Sequence, residues 1–246
     1  MSALSVRGIT KAYGGVQAVR DVSFDVAPGE LVALIGPNGA GKTTCFNMLN
    51  GQLAPDSGEI LLGEARITGL PPHRIWRMGV GRTFQVTATF GSMSVRENVQ
   101  MALISHSGQL RSAWKLASKL NISEADALLE RVGMQEQAER PCAVLAYGDL
   151  KRVELAVALS NRPRVLLMDE PTAGMAPEER GALMQLAAAL ARSDGIAVLF
   201  TEHDMDMVFG HASRVLVLHL GKLIAQGSAD EVRADPMVRE VYLGDA

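Results

Sequence analysis

Apolar residues in this chain fall into short runs of two kinds. Residues 31–35 and 165–168 are continuous apolar runs, which are typical of strands buried on both faces of a parallel sheet. Residues 22–26 instead alternate between apolar and polar side chains, which is typical of a strand with one solvated face. The pattern predicts an α/β fold whose core has a mostly parallel sheet, with an antiparallel β part at the N-terminus.

Stretches with helical spacing separate the predicted strands. Three leucines at helical spacing lie in a predicted helix at residues 177–192, between the run at 165–168 and a β-type run at 196–201. Strand, helix and strand in this order form a βαβ unit, whose two strands are parallel. A predicted hairpin around Gly221 and a helical tail from Ser228 complete the chain.

The character of the sequence changes between residues 71 and 147, where helical periodicity replaces the β-type runs. Within this stretch, residues 112–120 have apolar side chains near helical spacing, which favours a packed helix face. We therefore predict a single unit, residues 1–246, with an α-helical subdomain of approximately residues 86–160 inserted into its α/β core.

Composition disfavours several classes of function. The net charge of −3 offers no overall basic field, so binding to DNA or RNA is not expected. Cys45 and Cys142 are the two cysteines, and their spacing fits neither a disulfide framework nor a zinc site. The N-terminus lacks a signal-peptide pattern, and every apolar run is shorter than the roughly 18 residues of a membrane span. The sequence thus predicts a cytoplasmic chain that does not itself cross a membrane.

The sequence GPNGAGKTT at residues 36–44 matches the phosphate-binding P-loop and directly follows a predicted buried strand, as that motif requires. Its glycines let backbone N–H groups converge on an anion, and the following helix turns its positive end toward the phosphates. Lys42 supplies a mobile positive charge for the β- and γ-phosphates, and the Thr43 hydroxyl can ligate Mg²⁺. The predicted nucleotide-binding residues of the loop are Gly36, Pro37, Asn38, Gly39, Ala40, Gly41, Lys42, Thr43 and Thr44.

Two acidic residues end the second buried run. Asp169 is in the position of the second Mg²⁺ partner of a P-loop NTPase, and Glu170 can polarise a water for in-line attack on the γ-phosphate. For the two acids, the structural alternative is that one of them is merely solvated. For residues 36–44, it is a glycine-rich turn with an exposed lysine. The occurrence of both motifs in one chain favours the functional interpretation. A GTPase is not expected, because no lysine follows an asparagine as in the base-reading N-K-x-D motif.

A set of motifs stands in a characteristic order along nearly the whole chain. They are Tyr13, residues 36–44, Gln85, LAYGD at 145–149, LLMDEP at 166–171 and His203. Together they resemble the ATP-binding subunit of an ABC transporter, a single cassette that binds ATP and Mg²⁺. The resemblance implies that Tyr13 stacks on adenine, that Gln85 connects Mg²⁺ and the attacking water to the helical subdomain, and that His203 contacts the γ-phosphate. The implied catalytic residues are Lys42, Gln85, Glu170 and His203, and the implied Mg²⁺ ligands are Thr43, Gln85 and Asp169.

The resemblance also implies a partner, since two such subunits pair head to tail with two ATP molecules between them. Gly148 stands at a predicted helix start, so its N–H can face the other subunit's γ-phosphate. Two segments depart from the family pattern. In the first, which has Ala146, Tyr147 and Asp149, Ala146 has no hydroxyl and Asp149 is an anion. In the second, Met175 and Ala176 stand where the family's following loop commonly ends in aspartate. We expect Asp149 to turn aside and compensate its own helix start. The implied trans-acting signature residues are Leu145, Ala146, Tyr147, Gly148 and Asp149.

Weaker sequence marks concern the cargo. The GRTFQ, LAYGD, AGM and YLGDA segments resemble the ATPases of branched-chain amino acid importers. Such a subunit would lie on the inner face of the plasma membrane, against permease subunits that receive their substrate from a periplasmic binding protein. Importers for amides or urea remain alternatives, as does a soluble ABC-type ATPase acting on nucleic acid or the ribosome, which the single compact cassette disfavours. A third alternative is a module that no longer hydrolyses ATP. The sequence argues against it, because it retains Lys42, Gln85, Glu170 and His203.

Overall fold

The computed structural model of this chain describes residues 2–83, 89–108 and 119–243. Its strands are β1 (Leu4–Tyr13), β2 (Val16–Val26), β3 (Leu31–Ile35), β4 (Ser57–Leu62), β5 (Ala65–Arg66), β6 (Val80–Thr83), β7 (Val165–Asp169), β8 (Ala197–Thr201), β9 (Arg214–His219) and β10 (Lys222–Gly227). Its helices are α1 (Lys42–Leu49), α2 (Pro72–Arg77), α3 (Val95–His106), α4 (Ile122–Arg131), α5 (Tyr147–Leu159), α6 (Pro177–Asp194), α7 (Met205–His211) and α8 (Ala229–Ala234), followed by short helical turns at Pro236–Val238 and Arg239–Leu243.

The larger sheet has the strand order β10-β9-β3-β8-β7-β6 within the described residues. Its centre is β3, which lies between β8 and β9 and runs parallel to both. Alternate β3 residues enter two different apolar clusters, Ala33 in one and Val32 and Leu34 in the other, so both faces of the strand are covered. This double burial explains the continuous apolar run and confirms the predicted parallel core, to which β10 adds an antiparallel edge.

The N-terminal sheet has the order β2-β1-β4-β5, and all of its strand pairs are antiparallel. The pairing of β1 with β2 shifts register between Val6 and Ile9, which brackets Gly8 in the left-handed backbone region. Beyond that irregularity β1 continues to Tyr13 and turns back into β2. The predicted antiparallel β part is thus confirmed.

Helices α3, α4 and α5 pack on one another, as the predicted helical subdomain requires. The start of α3 is fixed by a capping box in which Ser94 and Glu97 exchange side-chain to backbone hydrogen bonds. The sequence changes character at residue 71, but the helical subdomain begins later in the chain. The elements that directly follow residue 71 are α2 and β6, and β6 pairs with β7 in the core sheet. The bounds 86–160 remain a prediction, and most of the predicted helix at 112–120 lies outside the described residues. No described helix is both long and apolar enough to cross a bilayer.

The two-residue turn between β9 and β10 contains an unfavourable residue. Leu220 and Gly221 both have positive φ angles, 46° and 81°, and His219 pairs with Lys222, which is the geometry of a tight hairpin turn that prefers Asn-Gly. Leu220 is 65% exposed, so little packing offsets its left-handed backbone. The Gly221 N–H donates to the Ala40 carbonyl oxygen at 3.0 Å, which joins this turn to the P-loop.

We therefore expect Leu220→Asn to raise the free energy of unfolding by about 0.5–1 kcal/mol and the melting temperature by about 1–4 °C. Thermal and urea unfolding followed by circular dichroism measure this change. Leu220→Ala is the matched control, because alanine removes the exposed side chain but keeps the unfavourable φ. Equal melting temperatures for the Asn and Ala variants would contradict the explanation.

Candidate nucleotide site

The loop between β3 and α1 is held in shape by its glycines. Gly36 and Gly41 have φ angles of 149° and 105°, which favour glycine. A Cβ on Gly36 would lie 2.0 Å from the Leu218 carbonyl oxygen, and one on Gly41 would lie 2.4 Å from the Ala18 carbonyl oxygen. Both glycines therefore serve the backbone conformation and the close approach of neighbouring strands, and the loop adopts the curved form that the P-loop pattern predicts.

Lys42 lies inside the curve of this loop. Its Nζ donates hydrogen bonds to the carbonyl oxygens of Gly36 at 2.6 Å and Pro37 at 3.2 Å, and the residue is only 8% exposed. Burial lowers the pKa of Lys42 from its ordinary value, and the negative charges of Glu170 and Asp169 oppose that effect. The lysine charge is thus positioned between the backbone loop and the two acids.

A cleft of about 300 Å³ opens over the loop. It brings together the P-loop and two side chains from distant strand ends, Glu170 after β7 and His203 after β8. The lining residues are Ala18, Asn38, Gly39, Ala40, Gly41, Lys42, Thr43, Thr44, Glu170 and His203. Backbone donors, a lysine, a carboxylate and an imidazole therefore face one space, which is a set suited to binding phosphates and hydrolysing a phosphoanhydride bond.

The acids at the end of β7 are held by the end of β8. Thr201 pairs in register with Asp169, and its hydroxyl donates to the Asp169 carboxylate at 2.8 Å while accepting from the Glu170 N–H at 3.0 Å. Glu170 has a left-handed φ of 47°, and its Oε1 lies 2.9 Å from His203 Nε2. The predicted pair of acids and His203 thus form one hydrogen-bonded group at adjacent strand ends.

Arg82 is a site residue that the sequence motifs did not identify. Its Nη2 lies 3.1 Å from the Asp169 carboxylate, and its Nη1 donates to Asn47 and Gln52, both at 3.0 Å. Burial lowers the pKa of Arg82, and the Asp169 charge opposes that change. Arg82 therefore ties the acid at the end of β7 to helix α1 and the loop after it. Its one sequence signal was its place in the GRTFQ segment.

Glu202 is a second residue that sequence analysis left without a role. It is 4% exposed and accepts hydrogen bonds from the Thr172 hydroxyl at 2.6 Å and the Thr172 N–H at 2.8 Å. It also accepts from the His203 N–H at 3.2 Å. These bonds fix the backbone of His203 relative to the loop that follows Glu170.

The remaining predicted residues lie elsewhere. Tyr13 ends β1 and is 52% exposed, and it is not among the residues that line the cleft, so its stacking on adenine stays a prediction. Gln85 lies outside the described residues. Leu145 and Ala146 directly precede α5, and Tyr147, Gly148 and Asp149 lie in its first turn, away from the cleft lining. The expected electrostatic role of Asp149 at this helix start stays a prediction.

Comparison with known proteins gives consistent matches. A family model described as ABC transporter matches residues 19–173, and one described as Branched-chain amino acid ATP-binding cassette transporter matches residues 222–246. The high-affinity branched-chain amino acid transport ATP-binding protein LivG of Escherichia coli strain K12 is 41% identical over 250 residues, covering 99% of this chain and 98% of LivG.

Solved structures agree with these matches. The ADP conformation of MJ1267, an ATP-binding cassette of an ABC transporter, superposes with a TM-score of 0.89 at 30% identity and covers 100% of both chains. The dimeric post-hydrolysis state of the cassette MJ0796, bound to ADP and Pi, has a TM-score of 0.77 at 25% identity and covers 92% of this chain and 98% of that one. The fold of the described residues is therefore that of an ATP-binding cassette.

Proposed function

The chain belongs to the ABC transporter family, and we propose that it is the ATP-hydrolysing subunit of an importer for branched-chain or other hydrophobic amino acids. The observation that carries the catalytic part is the single cleft in which Lys42 faces the hydrogen-bonded pair of Glu170 and His203. The cargo rests on similarity to LivG and on the C-terminal family match at residues 222–246.

In this proposal each part of the site has a separate role in ATP hydrolysis. The P-loop N–H groups and Lys42 hold the β- and γ-phosphates, and the positive end of α1 faces them. Glu170 accepts a proton from the attacking water, and His203, whose Nε2 is 2.9 Å from Glu170 Oε1, orients that carboxylate and contacts the γ-phosphate. Tyr13 receives the adenine ring, and Gln85 has the role that the family resemblance implies, which is to link the attacking water to the helical subdomain.

The residues present fit a bound Mg²⁺. Thr43 is exposed at the cleft and offers a hydroxyl oxygen, and Asp169 offers a carboxylate at the end of β7. Asp169 Oδ1 accepts a hydrogen bond from the Thr201 hydroxyl and Oδ2 accepts one from Arg82, and each carboxylate oxygen has a second lone pair that can bind a cation. Such a set of one or two protein oxygens completed by substrate phosphates is usual for Mg²⁺, which would neutralise charge on the phosphoryl oxygens when bound. Gln85 would complete the set.

The site requires a second subunit in this proposal. The signature residues at the start of α5 do not line their own chain's cleft, so an identical or paralogous partner would supply Gly148 to the γ-phosphate. The related MJ0796 cassette has a dimeric structure, which supports the pairing of two subunits.

The permease is the other proposed partner, and it would hold the chain on the inner face of the plasma membrane. We place its contact on the helical part near residues 85–99 and in the groove beside it, a cavity of about 370 Å³ between α2, β6, α3 and α5. Ile75, Trp76 and Val157 give the groove apolar walls, and Arg82, which bonds to Asp169, lies at its edge. A helical segment of the permease could fill this groove and act through Arg82 on Asp169, the proposed Mg²⁺ ligand.

Reconstitution tests the proposal. The chain, its paired ATPase and permease subunits are placed in nanodiscs, and ATP hydrolysis is measured with the binding protein loaded with leucine, isoleucine, valine, an amide or urea. We expect the branched-chain amino acids to stimulate hydrolysis, and we expect crosslinks to the permease from the groove. Stimulation by urea or an amide alone would assign a related importer, and crosslinks only to the C-terminal tail would contradict the proposed contact. Stimulation of the isolated chain by DNA or ribosomes would support the soluble class.

A further inference from the structure

The segments that contain the two departures from the family pattern, residues 145–149 and 174–179, lie against each other within one chain. A Cβ built on Gly174, in the loop after the acids, would lie 3.3 Å from the Tyr147 ring. A Cβ built on Gly148 would lie 2.7 Å from Oε1 and 2.8 Å from Cδ of Glu179. The first turn of α5 therefore packs against the loop at Gly174 and the first turn of α6, although the two segments are far apart in sequence.

Gly148 provides the space for this contact. It is buried and absent from the residues with positive φ, so glycine provides room for the approach of a neighbouring side chain and does not serve an unusual backbone conformation. The group that covers it is the carboxylate of Glu179, an otherwise exposed side chain. Glu179 also accepts a hydrogen bond from the Ala176 N–H at 3.3 Å, at the start of its own helix.

The negative charge of the Glu179 carboxylate lies close to the start of α5. A helix start carries a partial positive charge that attracts anions, and α5 has 13 residues with Gly148 in its first turn. Glu179 places a negative charge against that turn, and Asp149 adds a second one within it. In the proposed dimer the same helix start must receive a γ-phosphate from the partner, so the cis carboxylate and the phosphate compete for one positive helix end.

We propose that Glu179 is an electrostatic brake on ATP-driven dimerisation. Its carboxylate covers the start of α5 in the separate subunit and moves aside as the partner's γ-phosphate arrives, which it can do because the side chain lies at the exposed start of α6. The brake raises the ATP concentration at which two subunits close on each other. This inference rests on the proposed shared site and assigns Glu179 a positioning role, without contact to the reacting atoms.

The test compares dimer formation in a background that hydrolyses slowly. Sedimentation velocity with saturating Mg²⁺-ATP gives the dimer dissociation constant of Glu170→Gln, alone and combined with Glu179→Gln or with the control Glu178→Gln. Glutamine keeps the size of Glu179 and an oxygen for the Ala176 N–H, so the variant removes little besides charge. Glu178 precedes it in the same turn, carries the same charge, and points in a different direction around the helix.

We expect Glu179→Gln to lower the dimer dissociation constant by roughly 3- to 10-fold at low salt, with the gain shrinking as the salt concentration rises. Glu178→Gln should leave it nearly unchanged. Equal effects of the two substitutions, or a weaker dimer with Glu179→Gln, would overturn the brake and leave the shared site intact. If Glu170→Gln forms no ATP-dependent dimer at all, the shared site is wrong and the brake is overturned with it.

Discussion

Replacing Glu170 with glutamine is expected to lower ATP turnover by roughly 10²- to 10⁴-fold while ATP still binds. Glutamine fills the same volume and can keep the hydrogen bond to His203, which is 2.9 Å away in the native protein. It cannot accept a proton from water, so the chemical step loses its base. Phosphate release at saturating ATP measures turnover, and titration with a fluorescent ATP analogue measures binding.

The matched control for this substitution is Glu178→Gln. It makes the same chemical change on an exposed helix start outside the cleft, and we expect its turnover to stay near that of the native protein. Native turnover in the Glu170→Gln variant would show that another group accepts the proton. A loss of ATP binding in that variant would instead assign Glu170 to the binding step.

The backbone conformation at position 170 should be the same in the native protein and in the Glu170→Gln variant. Its φ of 47° is one that side-chain-bearing residues adopt at a cost of about 1 kcal/mol or more, and it persists because the surrounding contacts fix it. Those contacts include the hydrogen bond that its N–H donates to the Thr201 hydroxyl and the hydrogen bond between its carboxylate and His203 Nε2. Since glutamine has the same backbone preferences as glutamate, the substitution changes the carboxylate and leaves the strain as it is.

Local sequence patterns predicted the elements that are apolar along their whole length. The run at residues 31–35 is continuous because β3 is covered on both faces, and that burial places the P-loop at the centre of the sheet. The helix α6 was predicted from leucines at helical spacing, and the hairpin around Gly221 from two β-type runs that flank a turn. The strand β6 was not, because it is short, contains one large apolar residue, Val80, and owes its strand conformation to pairing with β7.

The chemistry of the site was also only partly predictable, because it depends on contacts between strands that are distant in the sequence. Glu170 was identified from its place after a buried strand and His203 through resemblance, but their hydrogen bond depends on the parallel register of Asp169 with Thr201, which neither segment encodes alone. Arg82 bonds to an acid 87 positions away, and a lone arginine in sequence carries no sign of that partner. Contacts of this length are fixed by topology, so motif reading names the residues at strand ends and misses those that support them.

Replacing Lys42 with alanine is expected to weaken ATP binding itself. A hydrogen bond to a charged group contributes about 1.5–3 kcal/mol, so the dissociation constant for ATP should rise by roughly 10- to 150-fold. Lys42 Nζ already lies at the carbonyl oxygens of Gly36 and Pro37, where it needs only a small movement to reach a phosphate held by the loop. Calorimetric titration with ATP measures the change, and thermal unfolding confirms that the variant remains folded.

Lys222→Ala is the control for that experiment, because Lys222 is an exposed lysine that does not line the cleft. Its affinity for ATP should match that of the native protein, and native affinity in the Lys42→Ala variant would contradict the assignment. The two variants of the site then separate its functions. Lys42→Ala loses affinity before any chemistry occurs, whereas Glu170→Gln keeps affinity and loses the chemical step. That contrast is expected only if the loop after β3 holds the phosphates and the end of β7 supplies the base.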